Sequence, residues 1–170
     1  MAQYRISDDE LGQLQYNLIR SHASGMGAGL PDHYVRAVML NRLNTLALGG
    51  SGVSLPVVEQ LAKFIDKGIY PYIPEHGSVG ASGDLVQLAH LALGLIGEGK
   101  AIYKGESLQV EDILKKEKLK PLELSLRDGL ALMNGTSCMS GIGLLNVIYA
   151  TRLTKWAVLI GAVINELVRS

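Results

Sequence analysis

The sequence predicts a mainly α chain with at most a small β-ribbon. Three observations carry that prediction. Apolar residues recur at helical spacing through most of the length. Helix-start and helix-stop residues bracket those runs, and only one short stretch has the alternation and central turn of a hairpin.

The elements follow in order. Ser7-Asp8-Asp9-Glu10 has the serine and the glutamate of a capping box, and Leu11, Leu14, Leu18 and Ile19 continue it at helical spacing up to a break at "SGMGAG". A second helix starts near Pro31-Asp32, carries Val35, Val38, Met39, Leu43 and Leu46, and stops at Gly49-Gly50. Ser54 and Pro56 open a third, which Gly68 closes. "IYPYIPEHGSVGASG" reads as a loop broken by Pro71, Pro74 and its glycines, and from Asp84 a fourth helix runs through "LVQLAHLALGLIGEG". "AIYKGESLQV" has the pattern of a hairpin turning at Lys104-Gly105. "VEDILKKEKLKP" is a short charged surface helix, "LSLRDGLALMNGT" another short one ending at Asn134-Gly135, and the tail from Ser137 to Ser170 reads as one or two long helices.

Composition narrows the function classes. The 170 residues, 48% hydrophobic and 19% charged, suit a single domain over 1–170 with a sizeable core. Sixteen basic residues balance sixteen acidic ones without a basic block, which argues against a nucleic-acid partner. Cys138 is the one cysteine, so neither an internal disulfide nor a cysteine metal cluster is expected, and a reducing cytoplasm is the natural compartment. The polar, acidic start lacks the basic and apolar regions of a signal peptide. Arg152 and Lys155 interrupt the apolar tail, so burial in a bundle or an oligomer is expected rather than a membrane. "AVINELVRS" ends with the helical pattern still running, which is read as part of a longer architecture whose apolar faces meet other chains.

One stretch invites chemistry: "EHGSVGASGDLVQLAH", residues 75–90. A phosphate cradle fails on spacing, because no lysine follows the glycines and G-x-x-G-x-x-G does not match a dinucleotide fingerprint. Two readings stay open on the residues alone. Ser82 can cap the following helix, with Asp84 complementing its dipole. Alternatively, the amide nitrogen of Gly83, unobstructed by a Cβ, can attack the Ala81 carbonyl carbon and close a five-membered ring.

"GSVGASGDLVQLAHLALGLIGEG" resembles the signature of the aromatic amino-acid ammonia-lyases, the family of histidine, phenylalanine and tyrosine ammonia-lyases and related aminomutases. "LQYNLIRSHASGMG" (14–27) resembles the family's early substrate-pocket helix, and "GLALMNGTS" (129–137) its Asn-Gly-Thr segment. The likeness covers essentially the whole chain and is closest to bacterial histidine and tyrosine lyases. It implies a helical bundle of the fumarase/aspartase-like superfamily. It further implies that Ala81, Ser82 and Gly83 mature to 4-methylideneimidazole-5-one (MIO), with no external cofactor and no metal. Asp84 matches the aspartate that assists ring closure, Asn134 the asparagine beside the MIO and the substrate, and His22 the position that selects the substrate side chain. The Ser21-His22 pair favours a polar ring, imidazole or phenol.

The resemblance also implies a small amino-acid substrate and a homo-oligomer, a tetramer in the family. The family's catalytic tyrosine motif and its downstream Gln, Tyr, Ser, Arg cluster have no counterpart in these residues, and neither Tyr4 nor Tyr16 sits in such a motif. An inactive structural fragment and an aminomutase therefore stand as alternatives to a lyase. Outside the resemblance, His22 at a helix end reads as a carbonyl cap, His90 as a hydrogen-bonded core histidine and Cys138 as a small buried hydrophobe. Asn134-Gly135 reads as a helix stop, and Tyr70 and Tyr72 as loop packing.

Overall fold

The structure is a computed structural model describing residues 8–125 and 127–169. Ser7 of the expected capping box, and Tyr4, lie outside the described residues. Helix α1 (Asp8–His22) leads into strand β1 (Met26–Gly29), followed by α2 (Asp32–Ala47) and α3 (Leu55–Lys67). Strands β2 (Ile69–Pro71) and β3 (Pro74–His76) precede α4 (Leu85–Leu95). A hairpin of β4 (Lys100–Tyr103) and β5 (Glu106–Gln109) comes next, then α5 (Val110–Glu117), α6 (Asp128–Met133) and the long α7 (Ser137–Val168). The mainly α expectation is met, helix by helix.

Local signals account for much of this. Pro56 stands in the first turn of α3, and Gly68 ends it in the left-handed conformation with φ of 65°. The β4–β5 turn places Lys104 and Gly105 at φ of 53° and 83°, the double positive φ that a two-residue turn needs to match strand twist. Helix α5 buries Val110, Ile113 and Leu114 and turns its lysines outward.

Two segments read as breaks contain strands instead. β1, from the "SGMGAG" break, pairs antiparallel with β3, and β2 joins β4 and β5 in a three-stranded antiparallel sheet with β4 central. Proline is compatible with both because of where it falls. Pro71 ends an edge strand and Pro74 begins β3, positions where a missing N–H removes little of the ladder. The partners of β1 lie almost fifty residues away, so no local pattern announces them.

The core gathers Ile19 of α1, Val38 and Met39 of α2, Leu61 and Phe64 of α3, and Leu88, Leu91 and Leu95 of α4, each fully buried. Helix α4 is the central rod, packed against α1 and α6. Helix α7 docks on α2 through its first turns. Gly141 sits so close that a Cβ there would lie 2.8 Å from the Val38 nitrogen, and Asn41 Nδ2 donates to the Ser137 carbonyl at 3.3 Å. Beyond Asn146 every described residue of α7 except Gly161 is exposed. By length and composition alone the stretch Asp128–Val168 is apolar enough to cross a membrane. That differs from the expectation that Arg152 and Lys155 leave no such span, because two cations in one continuous helix do not lower its mean hydropathy enough.

Candidate active site

The stretch before α4 is shaped by its glycines. The chain reverses at Ser82, and backbone bridges join Gly80 to Gly83 and Ala81 to Gly83. Gly83 has φ of 83°, and a Cβ on it would fall 2.3 Å from the Gly135 carbonyl oxygen, so conformation and space both demand glycine. Ala81 and Ser82 are exposed at the tip.

Of the two readings of Ser82 left open by the residues, the helix cap does not hold. Ser78 Oγ accepts the Val86 N–H at 3.2 Å and satisfies one of the free donors of the first turn of α4, while the Ser82 hydroxyl bonds to no other described residue. A serine eight residues back reaches the helix because the loop folds over it, which sequence spacing does not reveal.

Asp84 faces another helix as well. Its backbone N–H donates to the Gly135 carbonyl at 2.8 Å. Its Oδ2 accepts the Met139 N–H at 2.8 Å and so caps α7, not α4, with negative charge at that helix's positive end. Two contacts thus tie the tripeptide's C-terminal edge to the segment 134–139. Asn134 ends α6, with its side chain exposed. It borders a cavity of about 530 Å³ shared with Gln15, Leu18, Ser51, Arg127 and Leu130.

Behind this segment lies a residue the sequence reading passed over. Arg42 of α2 is 1% exposed, and its Nη2 donates to the carbonyls of Ala131 and of Asn134, the latter at 2.9 Å. Burial pulls its pKa down, the Asp84 charge opposing this, yet a guanidinium remains protonated in such a setting. The cation meets the carbonyl end of α6, where the helix dipole favours it. A signal was present: Arg42 continues the buried stripe Val35, Val38, Met39 and Leu46 at helical spacing. Asp128 was likewise passed over. It is buried, accepts the Ser54 N–H and Oγ–H at 2.8 Å and the Ser125 N–H at 2.7 Å, and so pins the start of α6 to α3.

His22 shares no hydrogen bond with this cluster. Its Nδ1 lies 2.8 Å from the Leu18 carbonyl, the capping contact expected of a histidine at a helix end. A carbonyl can only accept, so Nδ1 carries the proton and Nε2 is the ring's free nitrogen. The segment after His22 touches the loop indirectly. Gly25 N–H donates to His90 Nε2 at 3.1 Å, and a Cβ at Gly77 would lie 3.2 Å from Gly25 Cα. His90 is thus a hydrogen-bonded, half-buried histidine, with its pKa lowered by burial. Cys138 is buried and its thiol pushed up to about 12, the state of an inert hydrophobe. Tyr72 donates to the Gly27 carbonyl at 2.9 Å, and Tyr16 accepts the Leu124 N–H at 3.2 Å. Both hydroxyls hold the structure together. No group of three or more His, Cys, Asp or Glu among the described residues could hold a metal ion.

The fold and this loop have close counterparts. Histidine ammonia-lyase of Streptococcus pyogenes serotype M5 (strain Manfredo) is 48% identical over 161 residues, covering 95% of this chain and 31% of that protein. The structure of Pantoea agglomerans phenylalanine aminomutase superposes with a TM-score of 0.86 and 40% identity, covering 91% of this chain and 29% of that one. Histidine ammonia-lyase from Trypanosoma cruzi gives 0.83 and 37%, covering 87% and 29%. The chain spans about a third of the length of the curated relatives it matches. The Pantoea match leaves out only about a tenth of the chain, fewer residues than α7 contains, so at least part of that helix is matched in the Pantoea structure. The family model for aromatic amino acid lyases matches residues 1–170, tripeptide turn and Asn-Gly-Thr segment included, and the chain belongs to that family.

Proposed function

We propose that this chain is the electrophile-bearing part of a histidine or tyrosine ammonia-lyase, which eliminates ammonia from an aromatic amino acid to leave an α,β-unsaturated acid. The observation that carries this reading is the turn at Ser82, with Gly83 at positive φ pressed against the Gly135 carbonyl. The residues fit an MIO precursor: the chain already folds back between positions 81 and 83, the Ser82 hydroxyl is committed to no other described residue, and only glycine suits position 83. On closure the Gly83 nitrogen bonds to the Ala81 carbonyl carbon. One water takes that carbonyl oxygen with the amide hydrogens of Gly83 and Ser82. A second takes the Ser82 hydroxyl with its Cα hydrogen.

Once formed, the ring supplies an electrophilic methylidene for the substrate amine. The other residues act around it. Asp84 anchors the turn's end to α7. Asn134 presents its amide at the edge of the cavity. His22, held at Nδ1, offers Nε2 to a polar substrate ring, imidazole or phenol. Fixing reactants in this way supplies the usual proximity contribution. A homo-oligomer and a cytoplasmic location belong to the same proposal, supported by the exposed apolar length of α7 and the single reduced cysteine.

A second reading, an aminomutase that returns the amine to the β-carbon, is favoured by the likeness to the Pantoea enzyme. Intact-mass measurement tests the electrophile: a chain lighter by two waters is expected, and an unmodified mass overturns the claim. Incubation with histidine and with tyrosine then separates the outcomes. Urocanate or coumarate absorbance marks a lyase, and a β-amino acid marks an aminomutase. Neither product from a matured chain leaves it an inactive structural part of the family.

A further inference from the structure

We infer that Arg42 is the positioning residue for ring closure: it clamps the 131–135 turn from behind so that the Gly135 carbonyl holds the Gly83–Asp84 backbone in the geometry cyclisation needs. This rests on the assignment of residues 81–83 as the ring precursor. The guanidinium is almost completely buried, and its Nη2 reaches two carbonyls of the turn, those of Ala131 and Asn134. Its Nη1 faces Gly135 so closely that a Cβ there would lie 2.2 Å away. On the opposite side of the same turn, the Gly135 oxygen accepts the Asp84 N–H and would meet a Cβ on Gly83 at 2.3 Å.

The chain of contact therefore runs from Arg42 through Gly135 to Gly83 without a gap. Among the described residues Arg42 makes no carboxylate ion pair, and its Nε is buried without a partner. A buried cation whose hydrogen bonds go only to main-chain oxygens, with Asp84 acting on it through charge alone, is costly as a source of stability. A role in aiming those oxygens accounts for its presence. Attack of the Gly83 nitrogen on the Ala81 carbonyl demands that the nitrogen be held close and oriented, and the bond from the adjacent Asp84 amide to Gly135 limits that freedom.

The test uses the 170-residue chain and two readouts. Arg42→Met removes the charge and the donors at similar length, and Arg42→Lys restores a cation with fewer donors. Loss of charge-assisted bonds to two carbonyls is expected to slow the loss of two waters, followed by intact mass, by about tenfold or more in Arg42→Met, with partial recovery in Arg42→Lys. Hydrogen exchange provides the second readout: the Asp84 amide loses protection in Arg42→Met while the α4 amides from Leu88 to Leu95 keep theirs. Wild-type dehydration in a folded Arg42→Met chain, or unchanged protection at Asp84, overturns the inference.

Should Arg42→Met fail to fold, Gly135→Ala keeps the arginine and displaces it. Slowed dehydration there, relieved when Arg42→Lys makes room, supports the clamp, whereas wild-type dehydration in Gly135→Ala refutes it. A wild-type chain that never loses water overturns the ring-precursor reading instead, and the exchange readout still decides whether Arg42 holds the turn.

Discussion

Helices α4 and α7 are both rich in apolar residues, yet the fold treats them oppositely. No residue of α4 is exposed; Leu88, Leu91 and Leu95 are completely buried, and even the polar Gln87 is 7% exposed. In α7 only Ser137, Cys138 and Gly141 are buried, while Leu153, Trp156, Leu159 and Leu167 lie more than half exposed. An apolar helix states a need for a partner without naming it. In α4 the same chain meets that need, because α1 and α6 return to enclose it. In α7 only the first turns find α2, and the remaining apolar face is left for a contact outside this set of elements.

The comparison breaks most directly by truncation. Leu91→Ala should cost about 2–5 kcal/mol by removing buried methyl groups from a closed core, whereas Leu159→Ala should change stability by less than about 0.5 kcal/mol. Urea unfolding of the two variants measures both, and equal costs would mean that α7 is covered in solution. Glycine substitutions sharpen the contrast into one of sign. A Cβ at Gly94 of α4 would lie 2.7 Å from Pro71 Cγ, and Gly94→Ala should destabilise by about 1–3 kcal/mol. Gly161 of α7 has open space around it, and Gly161→Ala should stabilise by up to about 1 kcal/mol through helix propensity. Thermal melts in parallel would show midpoints moving in opposite directions.

The smallest effect is a pH dependence confined to the α4 side. Burial lowers the His90 pKa from its ordinary 6.5, and Nε2 must be unprotonated to accept the Gly25 N–H. Above pH 6.5 both folded and unfolded states hold a neutral ring, so that contribution is fully present. As pH falls below 6.5 the unfolded chain takes up the proton first, and stability declines until the folded ring protonates at its lower pKa. His90→Gln should remove this slope, which is at most that of one proton, in stability measurements across that range.

How far these features could be read in advance depends on the range of the interaction involved. The seven helices among the described residues were visible because their spacing and their stops are local, Gly68 and the Asn134-Gly135 pair being examples. The hairpin was visible in Lys104-Gly105 for the same reason. β1 and β3 were hidden, since prolines and glycines dominate each segment while the pairing spans a large sequence separation. Residues alone left a Ser82 cap open, because Ser78, further back, reaches the helix only after the loop folds over it. Arg42 was legible in principle as a cation on a buried stripe, but its carbonyl partners come from a helix about ninety residues on.

The sequence by itself determined the mainly α architecture, the tripeptide Ala81-Ser82-Gly83 and the family it marks, because helix periodicity, turn residues and a contiguous signature are properties of adjacent residues. Only the tertiary structure decided what that tripeptide leans on. Asp84 caps α7 rather than its own helix, Gly135 presses on Gly83, and Arg42 braces Gly135. Those contacts form between segments that meet in space alone, and burial of a charge or close approach of two backbones leaves no mark in local sequence until the fold brings them together.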